Sequence, residues 1–273
     1  MTVGEALRAA AERLDATSDT ARLDAELLMA HALGVSRSDM LLKAMRDPAP
    51  EGFAAFVQRR AAHEPVAYIT GEAEFYGRVF AVQPGILIPR ADSEAVIETA
   101  LSASPDPRRV LDLGVGSGAL LLTVLAERPE AVGVGIDASA IAIDVTGKNA
   151  IALGIENRLD LHRHDWRVAG WADDLGSFDL VLCNPPYVEA DAALDAQVRD
   201  FEPATALFAG PEGLDDYRIL IPQLRALMNP AAVAIFEIGA NQADAVGTIA
   251  QAAGFAVELR RDLAGRPRAL ILR

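Results

Sequence analysis

Asn184-Pro185-Pro186-Tyr187 follows the apolar run Phe178-Asp179-Leu180-Val181-Leu182-Cys183, and its composition limits its backbone severely. Proline fixes its own φ, offers no N–H and drives the preceding residue into extended conformations. Pro186 therefore restrains Pro185, and Pro185 restrains Asn184. The stiff segment can converge the Asn184 side-chain oxygen and a backbone carbonyl at Pro185 as acceptors, with the Tyr187 ring beside them. Two fixed acceptors suit a planar NH2 group. The nitrogen of a carboxamide or aromatic amine is a poor nucleophile because its lone pair is delocalised, so it needs orientation more than deprotonation. Preset acceptors stabilise the charge that grows on it, and orientation alone lowers a barrier by up to roughly 7–11 kcal/mol. The same four residues also read as a plain strand-ending turn.

Arg109-Val110-Leu111-Asp112-Leu113 has the pattern of a buried strand and runs into Gly114-Val115-Gly116-Ser117-Gly118-Ala119 before an apolar helical stretch over 120–125. Glycines there permit close approach of a ligand, and the helix N-terminus is expected to offer free N–H groups to a nucleotide-type cofactor. The spacing also satisfies a loose dinucleotide fingerprint, so it does not separate a nicotinamide enzyme from a methyltransferase. A second strand, Val132-Gly133-Val134-Gly135-Ile136, ends in Asp137. That carboxylate either binds two ribose hydroxyls or caps the helix over 140–153, with Ser139 the alternative cap that would leave Asp137 free.

A third short strand, Leu159-Asp160-Leu161-His162, precedes His164-Asp165-Trp166. Asp165 is placed to accept from an adenine amino group and Trp166 to cover the ring; the plainer roles are a surface turn and a half-buried aromatic. All four groups fall at carboxyl ends of strands, the ligand edge of an open parallel sheet. S-adenosylmethionine fits them better than a nicotinamide. Its methyl sulfonium is an electrophile that a held NH2 group can attack, whereas a hydride donor has no use for the Asn184 loop.

The elements that must carry these residues divide the chain. At 273 residues it is near the size at which one core gives way to two. Residues 1–72 read as a small helical domain, with helices over 21–33, stopped by Gly34, and over 50–63, before Pro65. Residues 73–92 alternate in polarity, and with the Pro84-Gly85 turn they suggest a β-hairpin connector. From 93 to 273 strand and helix signals alternate, as in a parallel sheet covered on both faces. Further strands are expected over 232–238, 255–260 and 269–272, the last two antiparallel, with a helix over 242–253. Glu237 and Gly239 either support the floor of the site or pair locally.

Net charge is −14 and the isoelectric point near 4.7, which disfavours a stable complex with nucleic acid because phosphate neutralisation dominates such affinity. One cysteine, Cys183, excludes an internal disulfide and suits a reducing cytoplasm. His162 and His164 beside Asp165 lack a further ligand cluster in the sequence, so no metal is expected. No signal peptide or membrane-length apolar run is present.

Taken together, the chain resembles the HemK/PrmC family of protein-glutamine N5-methyltransferases, which modify class I peptide chain release factors. The likeness runs through Ala21-Arg22-Leu23-Asp24-Ala25-Glu26-Leu27-Leu28, Gly71-Glu72-Ala73-Glu74-Phe75-Tyr76-Gly77, Ile88-Pro89-Arg90, Asp112 to Gly118, Asn184 to Tyr187, Glu202-Pro203, Gly213-Leu214, Glu237-Ile238-Gly239 and Asp262-Leu263-Ala264-Gly265. It implies a Rossmann-like class I S-adenosylmethionine-dependent methyltransferase sheet and, as substrate, the glutamine of a Gly-Gly-Gln motif. By position, Gly114, Val115, Gly116, Ser117 and Gly118 would meet the methionine portion of the cofactor, Asp137 the ribose, and Asp165 with Trp166 the adenine. Asn184, Pro185, Pro186 and Tyr187 would hold the carboxamide, with Asn184 also facing the cofactor. Residues 1–72 would dock the factor.

The sequence departs from the family at Arg90-Ala91-Asp92-Ser93-Glu94, where relatives commonly carry Pro-Arg-Pro-Glu-Thr-Glu from the position of Pro89. Losing the second proline is expected to loosen that turn. Two other readings stay open: an adenine-N6 or cytosine-N4 DNA methyltransferase acting on a flipped base, and a non-catalytic cofactor-sensing or translation-factor-binding protein.

Overall fold

The computed structural model describes residues 1–273 and divides into two compact units, Met1–Glu72 with Leu194–Phe201, and Ala73–Ala193 with Glu202–Arg273. In the first unit, Val3–Leu14 begins with a capping box: Thr2 accepts from the Glu5 N–H while Glu5 reaches back to the Thr2 N–H. Helix Ala21–Leu33 stops at Gly34, in the left-handed conformation. The helix expected over 50–63 is shorter, Phe53–Ala61, because the turn at Glu51-Gly52 still precedes it. Leu7, Leu14, Leu28, Met29 and Met40 form the centre of this unit's core. A buried ion pair crosses it, Arg60 Nε to Asp24 Oδ2 at 2.6 Å.

The second unit is built from β1 (Glu72–Phe75), β2 (Arg78–Ala81), β3 (Arg109–Leu113), β4 (Val132–Ile136), β5 (Leu159–His162), β6 (Phe178–Cys183), β7 (Met228–Glu237), β8 (Val257–Arg261) and β9 (Pro267–Leu272). Strands β1 and β2 form a hairpin; the other seven make one sheet in the order β5-β4-β3-β6-β7-β9-β8. All its neighbours are parallel except β9, which runs antiparallel to β7 and β8. The strand order reverses between β3 and β6, and ligands bind such sheets at that crevice, beyond the carboxyl ends.

Apolar cores cover both faces of the sheet, which is why β3 and β6 read as near-continuous apolar runs rather than alternating ones. In β4 the alternating residues Gly133 and Gly135 supply a flat strip. A Cβ on Gly133 would lie 2.8 Å from Leu125 and 2.9 Å from Leu121 of the helix Ala119–Glu127, so that helix approaches closer than any side chain would allow.

The hairpin turns at Tyr76-Gly77, not at Pro84-Gly85. Both turn residues have positive φ, 50° and 69°, as two-residue hairpin turns of the primed types require. Pro84-Gly85 instead starts a segment that runs along the cavity described below. Asn149, in helix Ala140–Leu153, bonds both the N–H and C=O of Ala81 and also the Ser117 carbonyl, locking β2 to the glycine turn. In the segment that lacks the second proline, Ala91–Ser93 forms a 3-10 turn, and Asp92 receives Arg268 at 2.7 Å and Arg266 at 3.2 Å. No helix is long and apolar enough to cross a membrane.

Candidate active site

A cavity of about 390 Å³ opens at the carboxyl ends of β3, β4, β5 and β6. The loop after β3 contributes Gly114, Val115, Gly116 and Ser117 to its wall, β4 contributes Asp137, the β5 loop Asp165 and Trp166, and the β6 loop Asn184 and Pro186. Three of the expected site residues stand behind the wall. Gly118 starts the helix: at φ +84° it carries the chain into Ala119–Glu127, and a Cβ there would lie 2.8 Å from Leu122 and 2.9 Å from Thr146. Pro185 is buried and does not line the cavity. Tyr187 does not line it either, and serves as an anchor.

The N–H groups of the three glycines and Val115 are taken up within the protein, while those of Ser117, Ala119 and Leu120, at the start of the helix, have no partner there. Gly114 and Val115 both donate to the Ile136 carbonyl, Gly116 donates to Asp137 Oδ2 at 3.0 Å, and Gly118 donates to Val115. Ser139 caps the next helix through Ala142 N, yet Asp137 is not left free, since its Oδ1 accepts from Ser139 N at 2.8 Å. Burial raises the Asp137 carboxyl, and these two N–H donors pull it back.

Asp112 adds a second acid that motif reading passed over. It lies in β3, lines the cavity, is fully buried, and its Oδ1 has no partner in the protein. Burial pushes its carboxyl up to about 7, with the nearby Asp137 charge adding to the rise. A pyrophosphate here would meet the carboxylates of Asp112 and Asp137. A cationic ligand meets acids and an indole, which suits a sulfonium.

Trp166 is held by Asp216, a fully buried residue that accepts from the indole Nε1 at 2.8 Å and pairs with Arg167 at 2.7 Å. The ring packs on Gly114, where a Cβ would lie 3.3 Å from it. Asp165 closes a local turn by accepting from Arg167 N at 2.9 Å. At the rim, buried Glu202 accepts from Ile88 N at 3.2 Å and Arg90 Nη2 at 2.5 Å, tying two wall segments together.

The Asn184 side chain makes no hydrogen bond within the protein, nor does the Pro185 carbonyl. Asn184 is half-buried at the cavity wall, which leaves its amide available to a ligand there. The position of both groups comes from Tyr187, whose N–H donates to Leu207 O at 3.1 Å, whose carbonyl accepts from Gln242 Nε2 at 3.0 Å, and whose hydroxyl donates to Glu237 Oε1 at 3.3 Å. Burial, then the Glu237 charge, raises the Tyr187 phenol well above its ordinary value. Glu237 is itself fully buried and pushed up to about 7 by that burial, against the pull of Ser93 and Arg268.

Away from the cavity, Asp174 joins His162 and His164 in a group whose ligand atoms lie within 4.8 Å of one another, so a third ligand absent from the local sequence does come near.

Residues 5–71 match the family described as PrmC N-terminal domain and residues 92–208 the methyltransferase small domain. The release factor glutamine methyltransferase of Cereibacter sphaeroides is 43% identical, over 98% of this chain and 97% of its own length. That of Caulobacter vibrioides is 39% identical over 99% and 96%. Among solved structures, a methyltransferase from Pyrococcus furiosus shares the fold at TM-score 0.54 and 12% identity, covering 72% of this chain and 89% of its own. These similarities extend over both units and include the cavity, and the chain belongs to the release factor glutamine methyltransferase family.

Proposed function

We propose that this chain transfers the methyl group of S-adenosylmethionine to the side-chain amide nitrogen, N5, of the glutamine in the Gly-Gly-Gln motif of class I peptide chain release factors. The observation that carries the reading is the Asn184 amide, engaged by no other group of the protein, at the wall of a cavity that also holds a glycine turn flanked by acids.

When bound, S-adenosylmethionine supplies an electrophilic methyl carbon on a positively charged sulfur. Gly114, Val115, Gly116 and Ser117 would approach its methionine portion, and Asp112, buried beside the turn, would set negative charge near its ammonium group. Asp137 would take the ribose through the lone pairs that Gly116 and Ser139 do not use. Trp166, steadied by Asp216, would cover the adenine, with Asp165 accepting from its amino group. Asn184 Oδ1 and a carbonyl of the Pro185–Pro186 segment hold the two N–H groups of the glutamine carboxamide. The amide nitrogen so held would be aimed at that methyl carbon, and the proton it sheds on methylation would pass to water. Asn184 orients the nitrogen; it does not abstract a proton.

Residues 1–72 offer the docking surface for the factor, since one side chain in a cavity gives too little contact to select a whole protein. Residues 73–92 act as connector and 93–273 as the catalytic domain. A substrate of the translation apparatus and a lone cysteine fit action in the cytoplasm. Mass spectrometry of release factor after incubation with enzyme and S-adenosylmethionine tests the reading: one methyl on the motif glutamine supports it, and an unmodified factor rejects it. Asn184→Ala should lower turnover by about 10²–10³-fold, the usual loss for one preorganised partner of transition-state charge, while cofactor affinity measured by calorimetry changes far less.

A further inference from the structure

Behind the Asn184 loop lies Glu237, which the sequence left between supporting the floor of the site and pairing locally. Glu237 ends β7 with no solvent exposure, and its main chain is fixed on both sides: Tyr217 Oη donates to its carbonyl at 2.7 Å, and the next residue, Ile238, donates to Arg268 O at 2.9 Å. Its Oε1 takes the Tyr187 hydroxyl, while Oε2 has no partner. The Ser93 hydroxyl faces the same carboxyl without closing a hydrogen bond, and Ser93 is both buried and part of the cavity wall. Arg268, the nearest cation, is already held by Asp92 at 2.7 Å. A buried carboxylate with one oxygen unsatisfied is costly, so a fold that needed only stability would fill this place with an apolar residue.

We propose that Glu237 is a positioning residue for methyl transfer: through Tyr187 it sets the Asn-Pro-Pro segment. The inference rests on the assignment of Asn184 as the residue that holds the substrate amide. Tyr187 is two peptide bonds from Pro185, and Pro185 and Pro186 have fixed φ. A shift at the Tyr187 ring is therefore transmitted to Asn184 instead of being absorbed by backbone rotation. The hydroxyl contact, at 3.3 Å, is longer than a relaxed O–H···O bond, which leaves it room to tighten when the cavity fills. Cofactor contacts from the glycine turn are made by other strands and are untouched by this chain of residues.

The test is a double-mutant cycle with Glu237→Leu and Tyr187→Phe, plus Glu237→Gln as the conservative variant. Leucine keeps most of the volume and removes the acceptor; glutamine keeps shape and acceptor. The expected result is that Glu237→Leu and Tyr187→Phe each lower kcat by roughly 10–100-fold, as small misplacements of a reacting group do. Cofactor affinity by calorimetry should stay within about 3-fold, a shift worth less than 1 kcal/mol. The double variant should be no slower than the worse single one, and Glu237→Gln should retain most of the turnover. Because the double variant removes both polar partners, it should also recover the stability lost in Tyr187→Phe.

A readout independent of activity is amide hydrogen exchange at Tyr187 and Val188, whose N–H groups donate to Leu207 O at 3.1 and 2.8 Å: protection there should fall in Glu237→Leu while the glycine turn keeps its own. Additive losses in the cycle, full turnover in Glu237→Leu, or unchanged exchange at 187–188 would each overturn the role. If the wild-type protein methylates no release factor, the functional assignment fails on that control, and the exchange experiment still decides whether Glu237 orders the loop.

Discussion

Gly213→Ala is the sharpest probe of how the Asn184 loop is held, because it touches neither the cavity nor any polar partner of the substrate. Gly213 sits at φ +66°, and a Cβ built there would lie 2.2 Å from the Tyr187 carbonyl oxygen, 2.9 Å from its carbon and 2.8 Å from Gln242 Nε2. Two of those three atoms are backbone and cannot rotate away. An ordinary contact is above 3.4 Å, so the loop must retreat by roughly 1 Å, and it cannot do so without lengthening the Gln242 to Tyr187 bond, now 3.0 Å.

Two costs add in that variant. Alanine in the left-handed region costs about 1–2 kcal/mol, and overpacking against rigid neighbours typically another 1–3 kcal/mol. The sum, roughly 2–5 kcal/mol, is a large part of an ordinary domain's stability but leaves a folded protein. Gly154→Ala supplies the matched control, since Gly154 has φ +69° in the same unit and a Cβ there meets nothing within 4 Å. Its cost is the conformational share alone. Urea unfolding of both variants measures the difference, and methyl transfer to release factor measures the consequence: a 1 Å displacement of the holding group should cost on the order of 10²-fold in turnover, with little change in cofactor affinity. Should Gly213→Ala match Gly154→Ala in both stability and turnover, then Tyr187 does not transmit its position to Asn184.

Other outcomes follow from the same contacts. Asp137→Ala should weaken cofactor binding by about 10–100-fold, because it removes a charged acceptor and frees the Gly116 and Ser139 N–H groups together; unchanged affinity by calorimetry would remove the ribose assignment. Asp112 is raised from 3.8 to about 7 by burial. A raised carboxyl leaves its stability contribution intact below its unfolded value and loses it as pH climbs through the folded one, so Asp112→Asn should gain on wild type by about 2–3 kcal/mol between pH 5 and 8 in urea titrations without cofactor. A flat difference would contradict a charged, buried Asp112. Asp24→Ala strands the buried Arg60 guanidinium and should cost about 3–5 kcal/mol, most of it recovered by adding Arg60→Met; no recovery in thermal or urea unfolding would mean that the pair was not the source of the loss.

Local rules reached a good deal of this protein without coordinates. β3, β4 and β6 are short apolar runs punctuated by glycine or proline, and such runs buried on both faces leave little choice of structure, so a parallel sheet with its ligand edge after Leu113, Ile136 and Cys183 was readable from residue order. Proline stiffness at 185 and 186 was equally legible, since it is a property of two adjacent residues. Where hydrogen bonds end was not. The Gly116 N–H is spent on Asp137 and the Gly114 N–H on Ile136, partners that only the parallel pairing of β3 and β4 brings alongside. Tyr187 became an anchor instead of a wall because Glu237, Gln242 and Leu207 surround it from distant parts of the chain. Asp112 and Glu237 each stand in a recognisable block, yet their raised carboxyls arise from burial, which the blocks do not reveal. Spacing along the chain therefore determined which chemistry the strand ends could attempt, whereas dielectric surroundings and long-range donor pairing, which exist only after the sheet has closed, decided which groups remain free to do it.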